Sequence, residues 1–309
     1  MQRTYKASRA YALIFLFFSL LHFNTNFAGT SFLDSTDCSK KEENCYGTRT
    51  WKDGSIYEGE FHYGKPYGYG KMTWSDGSIY EGSFREGVRS GKGLQQNSDG
   101  SVYKGTFYNG FMHGKGAYKF PCGHQYAGDF LKDIIHGQGT ITFIDGTSYE
   151  GEWKGGKPNG KGLFHRLDGS SFSGNFKTAL REGQGTVSWA SGEIFEGAWD
   201  KNKIEGASSF TFANGDQLDC SWKKGILNRE TCQYVFANGK TKSHTLDQLV
   251  SDHKIADHMA LVLFFDANEQ LANKDIQTAK SKLIIVKRIA SKNSDLYKNV
   301  QKQLESMAK

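Results

Sequence analysis

Proline is nearly absent from this chain, three residues in 309, which excludes a collagen-like or proline-rich linker design. Charge of one sign is also scarce. The net +6 divides so that residues 53–240 hold 21 Lys+Arg against 21 Asp+Glu, while the excess sits in the two ends. Without a basic field there is no long-range pull on nucleic acid, and none is expected as a partner. Asn-x-Ser/Thr acceptors do not occur, so N-glycosylation is not expected. Aliphatic bulk is thin: hydrophobic residues reach 37% of the chain while aromatics alone make up 14%, so the core is expected to be built of rings.

Long apolar runs are nearly missing too. The one candidate, Ala10 to Leu21, follows Arg3, Lys6 and Arg9, the order of a secretory signal peptide. A run of this length rises about 18 Å as a helix, short of the ~30 Å hydrocarbon core. The expectation is a signal peptide over residues 1–28, cleaved after Ala28, and export to a periplasmic or secreted compartment. An uncleaved N-terminal membrane anchor is the other reading. Five cysteines suit an oxidising compartment. Cys38 and Cys45 close a short polar loop, and Cys122 is the odd one out.

What the chain has in excess is glycine, and the glycine is periodic. Of 37, 35 lie between Asp53 and Lys240, and none follows. Stepping by 23 from Tyr57-Glu58-Gly59-Glu60-Phe61, five-residue units begin at Tyr80, Tyr103, Tyr126, Tyr149, Phe172, Phe195 and Leu218, each with a ring four places on. Gly68/Gly70, Gly91/Gly93 and their successors keep the same phase, as do Asp53-Gly54, Asp76-Gly77, Asp99-Gly100, Asp145-Gly146, Asp168-Gly169 and Asn214-Gly215. Alternation of ring, glycine and ring puts both rings on one face of a strand and acids such as Glu58 and Glu60 on the other. The central glycine leaves room for a ring or a backbone to lie close. Asp-Gly and Asn-Gly mark turns. Each unit is therefore expected to be two strands, and units are expected to stack edge to edge, touching only their neighbours.

This pattern resembles the MORN repeat (membrane occupation and recognition nexus) across about residues 47–239. The resemblance implies a mainly β fold, an elongated single-layer sheet of about eight stacked 23-residue hairpins. It implies a grooved binding surface and no reaction, since proteins with such repeats include membrane-contact tethers, lipid-kinase regulatory regions, cytoskeletal scaffolds and a lysine methyltransferase. Gly47 and Trp51 are in phase with Gly70 and Trp74, so a half-unit precedes the first full one. The last unit degrades, with Leu218 for Tyr and Cys220 for Gly. An extra residue in its hairpin sets Cys220 and Cys232 on opposing strands. Both ends read as caps, each stapled by a disulfide, Cys38 to Cys45 and Cys220 to Cys232. Five reduced, buried thiols are the other reading.

From Thr245 the apolar period lengthens. Leu246, Leu249/Val250, Met259, Leu263 and Phe264 suit one helix, Ile276, Ala279, Leu283 and Val286 a second, and Leu296, Val300 and Leu304 a third. The stretch Leu271 to Leu283 resembles part of a tetratricopeptide helical pair. The domain reading is thus 1–28 signal or anchor, 29–46 cap or linker, 47–240 repeat array and 241–309 α-helical segment covering the open sheet end.

Catalytic signals are thin. Gly155-Gly-Lys-Pro-Asn-Gly160-Lys161-Gly162 departs from a phosphate-binding loop where Gly162 stands for Ser/Thr, and a strand follows it, so no nucleotide is expected. The recurring Gly-Lys reads as a hairpin turn. His113 and His136 share a repeat position read as a solvated turn, and His253 and His258 are spaced off a common helix face, so no metal or other cofactor is expected. The chain is read as a non-catalytic scaffold that binds a protein partner or a second copy of itself. Tyr103, Phe107, Tyr126, Phe130, Tyr149 and Trp153, in the middle of the ring rows, are the candidate partner-binding residues, although the same rings are the core a single sheet needs. Phospholipid recognition is the second class, with weak membrane contact through Arg85, Arg89 and Lys92.

Overall fold

A computed structural model describes residues 38, 43–243, 256–272, 274–290 and 295–307. They fall into two compact units that divide between Ile134 and Ile135. The expected signal segment, most of the linker after it, and Leu246, Leu249, Val250 and His253 lie outside the described residues.

In the first unit, β1 (Cys45–Thr50), β2 (Ile56–His62), β3 (Lys65–Thr73), β4 (Ile79–Arg85), β5 (Val88–Gln96), β6 (Val102–Tyr108), β7 (Phe111–Lys119) and β8 (Gln125–Leu131) pair in chain order, all antiparallel. The second unit continues the scheme. Its strands are β9 (Ile134–Thr142), β10 (Ser148–Lys154), β11 (Lys157–His165), β12 (Ser171–Lys177), β13 (Leu180–Ser188), β14 (Ile194–Asp200), β15 (Lys203–Thr211), β16 (Gln217–Lys223), β17 (Ile226–Val235) and β18 (Thr241–Ser243). The half-unit strand β1 pairs with β2 in the register its phase demands, Gly47 opposite Gly59.

Each unit is a short strand, a tight turn and a long strand. Tyr63 and Gly64, both at positive φ (46° and 74°), form the two-residue turn between His62 and Lys65. A turn of that hand matches the twist of the strands it joins. Asp76-Gly77 belongs to the longer link to the next unit. There the Trp74 amide donates to the Ser78 carbonyl (2.9 Å), and the Asp76 carboxylate accepts the Ser78 amide (2.8 Å). The Gly-Lys phase is not a turn: Gly160, Lys161 and Gly162 lie inside β11, and the turn is Gly155-Gly156. His113 and His136, expected at solvated turns, likewise sit within β7 and β9, half-buried. The reason is an offset between turn and glycine. Gly68 and Gly160 take positive φ in mid-strand (60° and 108°), where the pairing slips by a bulge. A carboxylate caps each slip. Glu60 accepts the Tyr69 amide (3.0 Å) and Glu152 the Lys161 amide (2.9 Å).

The core is a ladder of rings. Tyr57 meets Phe61 of its own unit and Phe84 of the next edge-on, with centroids 5.0 and 4.9 Å apart. Tyr80 repeats this with Phe84 and Phe107, and Tyr103 with Phe107 and Phe130. In the second unit Tyr149 meets Trp153 and Phe176, and Phe172 meets Phe176 and Trp199. Such edge-to-face pairs add about 0.5–1.5 kcal/mol each beyond area burial. Each tyrosine lies flat over its paired glycines and donates its hydroxyl to the carbonyl three residues on, as Tyr103 does to Thr106 (2.9 Å).

Among the described residues the second unit also holds three helices: α1 (Ala256–Ala272), α2 (Ile276–Ile289) and α3 (Asp295–Ser306). Asp275 caps α2 by accepting the Thr278 amide (3.1 Å). The Lys282 ammonium pairs with the buried Asp266 carboxylate and ties α2 to α1. The sequence reading placed the helices over the open sheet end. Among the described residues α1 covers the ring-bearing face of the last hairpins, with Phe265 against Trp189 (5.3 Å), Phe195 (4.6 Å) and Trp222 (6.4 Å). Phe195, Phe210 and Trp222 are thereby buried with Phe265 in one apolar cluster, a hydrophobic gain that scales with the apolar area covered.

Candidate functional site

The six rings singled out from the sequence are all in the ladder. Tyr103, Phe107, Tyr126, Phe130, Tyr149 and Trp153 are 0–6% exposed. Burial raises the hydroxyl pKa of the tyrosines, to about 12 for Tyr149, with the Glu152 charge adding to it. A partner arriving at the folded protein meets other side chains first. What remains accessible is the opposite face of the sheet and the part of the ring face beyond the ladder.

The opposite face carries the second and fourth places of each five-residue ring-glycine-ring unit and the residues paired with them. In the first unit it mixes Glu58, Glu60, Glu81 and Asp129 with Lys71, Lys92, Lys104 and Lys115, and Lys115 pairs with Asp129 at 2.8 Å. In the second unit it forms a groove of about 550 Å³, floored by the backbone of Gly151, Gly162 and Gly174 and walled by Gln138, Glu150, Lys161, Leu163, Ser173 and Asn175. A second depression of about 500 Å³ lies over Gly197 among Gln184, Glu196, Ser209 and Asp219. Glycine keeps the floor low there, and the walls offer carboxylates, amides and one ammonium. This arrangement can hydrogen-bond an extended polar chain. It has no nucleophile–base pair.

On the ring face of the second unit, Arg181 is buried and lies over Phe172 (5.4 Å) and Trp199 (5.7 Å). One Nη donates to the Asn202 carbonyl (3.1 Å), and both Nη atoms donate to the Glu269 carboxylate of α1 (3.1 and 2.8 Å). Nearby, α1 is fixed by a second polar cluster. The Tyr234 hydroxyl lies 2.6 Å from Asp216 Oδ2 and 2.7 Å from His258 Nδ1, and the His258 ring stacks on Phe212 at 4.1 Å. Burial alone would raise the Asp216 carboxyl, but bonds from Tyr234, Ala237 and Asn214 hold it below the usual carboxylate range. An ionised Asp216 can only accept, so Tyr234 donates to it and His258 Nδ1–H donates to Tyr234. Burial lowers the His258 pKa against the opposing pull of Asp216.

Arg85, Arg89 and Lys92, read as one basic cluster, are split by the pleat. Arg89 pairs opposite Phe84 and lies on the ring face, over Phe107 at 4.9 Å, while Arg85 and Lys92 are on the other side. Both expected disulfides are present: Cys38 is bonded to Cys45 and Cys220 to Cys232, with Cα–Cα distances of 6.1 and 4.4 Å, and Cys122 is free and exposed. Among the described residues no His, Cys, Asp and Glu converge as metal ligands, and no helix is long and apolar enough to cross a membrane. Sequence reasoning missed Arg181, Glu269, Asp216 and His258 as a set. A signal was available for the first, since Arg89 and Arg181 occupy the same repeat position four units apart.

The family comparison agrees with the repeat geometry. The MORN repeat family matches residues 57–79, 80–102, 103–124, 126–148, 149–171, 172–194 and 195–217, which is 160 of 309 residues. No curated protein matches the chain. Among solved structures, similarity is found to the SAS-4 TCP domain of Drosophila melanogaster in complex with a proline-rich motif of Ana2, at 13% identity and a TM-score of 0.35, covering 57% of this chain and 89% of that one. Virginiamycin B lyase from Staphylococcus aureus is similar at 11% identity and a TM-score of 0.14, covering 64% and 82%. A streptogramin B lyase is similar at 10% and 0.16, covering 68% and 85%.

Proposed function

The chain belongs to the MORN-repeat family, and from that premise we propose that it is a non-catalytic binding scaffold, exported by its N-terminal apolar segment, whose polar groove takes an extended segment of a protein partner. The observation that carries this reading is the division of labour between the two faces. The rings are consumed by the core, whereas the glycine-floored groove around Glu150 and Lys161 leaves hydrogen-bonding groups accessible. Two disulfides support an oxidising compartment, in which residues 1–28 serve as the export signal and residues 29–46 lead into the array. Phospholipid binding, which the family's name suggests, has less support here, because acids and lysines alternate on the accessible face of the first unit and cancel each other's pull on a charged headgroup.

The test is capture from the native envelope or secreted fraction with the wild-type chain and with the pair Glu150→Lys and Lys161→Glu. Expected is loss of the wild-type partner at unchanged circular dichroism and melting. Retention of that partner by the charge-reversed chain would exclude the groove as its seat. Sedimentation of the wild-type chain with anionic vesicles at low salt would move the reading to lipid.

A further inference from the structure

The docking of α1 on Arg181 has an unoccupied counterpart. Arg89, four repeats earlier, sits in the same seat: its guanidinium lies over Trp74, Tyr80 and Phe107 at 5.8, 5.9 and 4.9 Å. Its Nη2 donates to the Gly110 carbonyl (2.6 Å), the acceptor that Asn202 supplies to Arg181 in the same repeat position. The difference lies in the other nitrogen. Arg181 is closed by the Glu269 carboxylate, whereas Arg89 Nη1 reaches the neutral side-chain oxygen of Gln95 (2.8 Å) and makes no ion pair among the described residues. Half-buried, the guanidinium is stripped of much of its water, and the Asp133 carboxylate offsets only part of that loss from beyond ion-pair distance.

The apolar surroundings follow the same correspondence in part. Tyr118, Met112 and Phe120 stand in the repeat positions of Phe210, Ile204 and Phe212, while Asn97 stands in that of Trp189 and Trp74 in that of Arg166. In the second unit Phe210 and Ile204 are buried, and Trp189 packs on Phe265 of α1. In the first unit Trp74, Met112, Tyr118 and Phe120 remain half-buried, with Tyr118 and Phe120 edge-to-face at 4.7 Å. Rings around a cation with no carboxylate in direct contact make a surface complementary to an apolar helix bearing one carboxylate.

We propose that the ring face around Arg89 docks an amphipathic helix of a partner protein, one that carries a carboxylate a single turn after an aromatic side chain. This is the pair that Phe265 and Glu269 present on α1, and spacing of four sets both on one helix face. The proposal rests on the binding reading above but uses the other face of the sheet, so the two can fail separately.

The probe is a labelled, helix-stapled peptide of residues 256–272, titrated into the full disulfide-bonded chain and followed by fluorescence anisotropy. Saturable binding is expected, weakened about 10- to 100-fold by Arg89→Gln in the chain or by Glu269→Gln in the peptide, with no further loss when the two are combined. Phe120→Ser, at the rim, is expected to weaken it as well and serves if Arg89→Gln misfolds. Arg181→Gln and Glu150→Lys are expected to leave the affinity unchanged. Absence of saturable binding would overturn the proposal, as would insensitivity to Arg89 and Phe120. Loss confined to Arg181→Gln would overturn it too, by showing exchange with the resident helix. If the chain alone dimerises in an Arg89-dependent way, the occupant is a second copy and the partner-protein assignment is wrong.

Discussion

Gly105→Ala isolates the feature on which the ring ladder depends. Gly105 is paired opposite Gly116 in mid-strand and has no positive φ, so an added methyl brings no backbone strain and only a collision. Its Cβ would stand 2.5 Å from Cζ of Tyr103 and 2.7 Å from the Gly116 Cα. The Gly116 backbone cannot retreat without parting β6 from β7, so the tyrosine must leave. Overpacking of this kind costs roughly 1–3 kcal/mol. Losing the hydroxyl bond to Thr106 costs about 1 kcal/mol more, and weakening the edge contacts with Phe107 and Phe130 about as much again. A loss of about 3–5 kcal/mol is expected. Gly197→Ala is the internal control. It occupies the same repeat position, but its Cβ would lie 3.0 Å from Phe195 and 3.4 Å from the side chain of Ser208, since the chain already has a Cβ opposite. A cost of about 1 kcal/mol is expected there, a shift of a few tenths of an ångström being enough. Because repeats open locally, the assay is amide hydrogen exchange by mass spectrometry, read on the peptides of β6 and β7 and of β14 and β15. Opening should rise by at least about two orders of magnitude for Gly105→Ala and by no more than about tenfold for Gly197→Ala. Equal effects at the two sites would refute the claim that tyrosine packing, and not strand propensity, demands these glycines.

Three further outcomes are expected. Glu269→Gln leaves a buried guanidinium without its partner and should cost about 3–5 kcal/mol in the docking of α1, by urea unfolding, while Arg181→Met together with Glu269→Leu should recover most of it. Acidification should loosen the same helix. The folded His258 pKa is depressed, so its contribution is present above about pH 6.5, the unfolded value, and is lost as pH falls through the lower folded value. Exchange protection of α1 should therefore drop between about pH 7 and pH 5, and His258→Phe, which keeps the stack on Phe212, should flatten that response. Finally, alkylation of the native protein should label Cys122 alone, with the other four cysteines reacting only after reduction. Five labels before reduction, together with an intact mass that includes residues 1–28, would remove the basis for export.

The repeat itself was legible because each constraint in it is local and recurs. A ring, a glycine and a ring at every second place can only be a strand with both rings on one face, and the same register reappears wherever those residues do. The turns were harder. Asp76-Gly77 announces itself, yet the two-residue turn is Tyr63-Gly64, and in other units the place is taken by Lys132-Asp133 or Thr178-Ala179, neither of which has a glycine to mark it. Their positive φ is imposed by the register on both sides, so residue identity reveals little. The functional surfaces were least legible, for a related reason. Tyr103 and Phe107 look like hot-spot residues in one dimension and are core in three, since a strand pattern shows which face a ring is on but not whether the next unit's ring covers it. Arg89 and Arg181 share a repeat position and a backbone acceptor, and the arrival of Glu269 from 88 residues away closes the second site and not the first. Periodicity therefore fixes where a surface can form, while its occupation is decided by aperiodic segments such as α1. It is at positions where the repeat stays constant but the covering changes, as between Arg181 and Arg89, that partners of this chain should be sought.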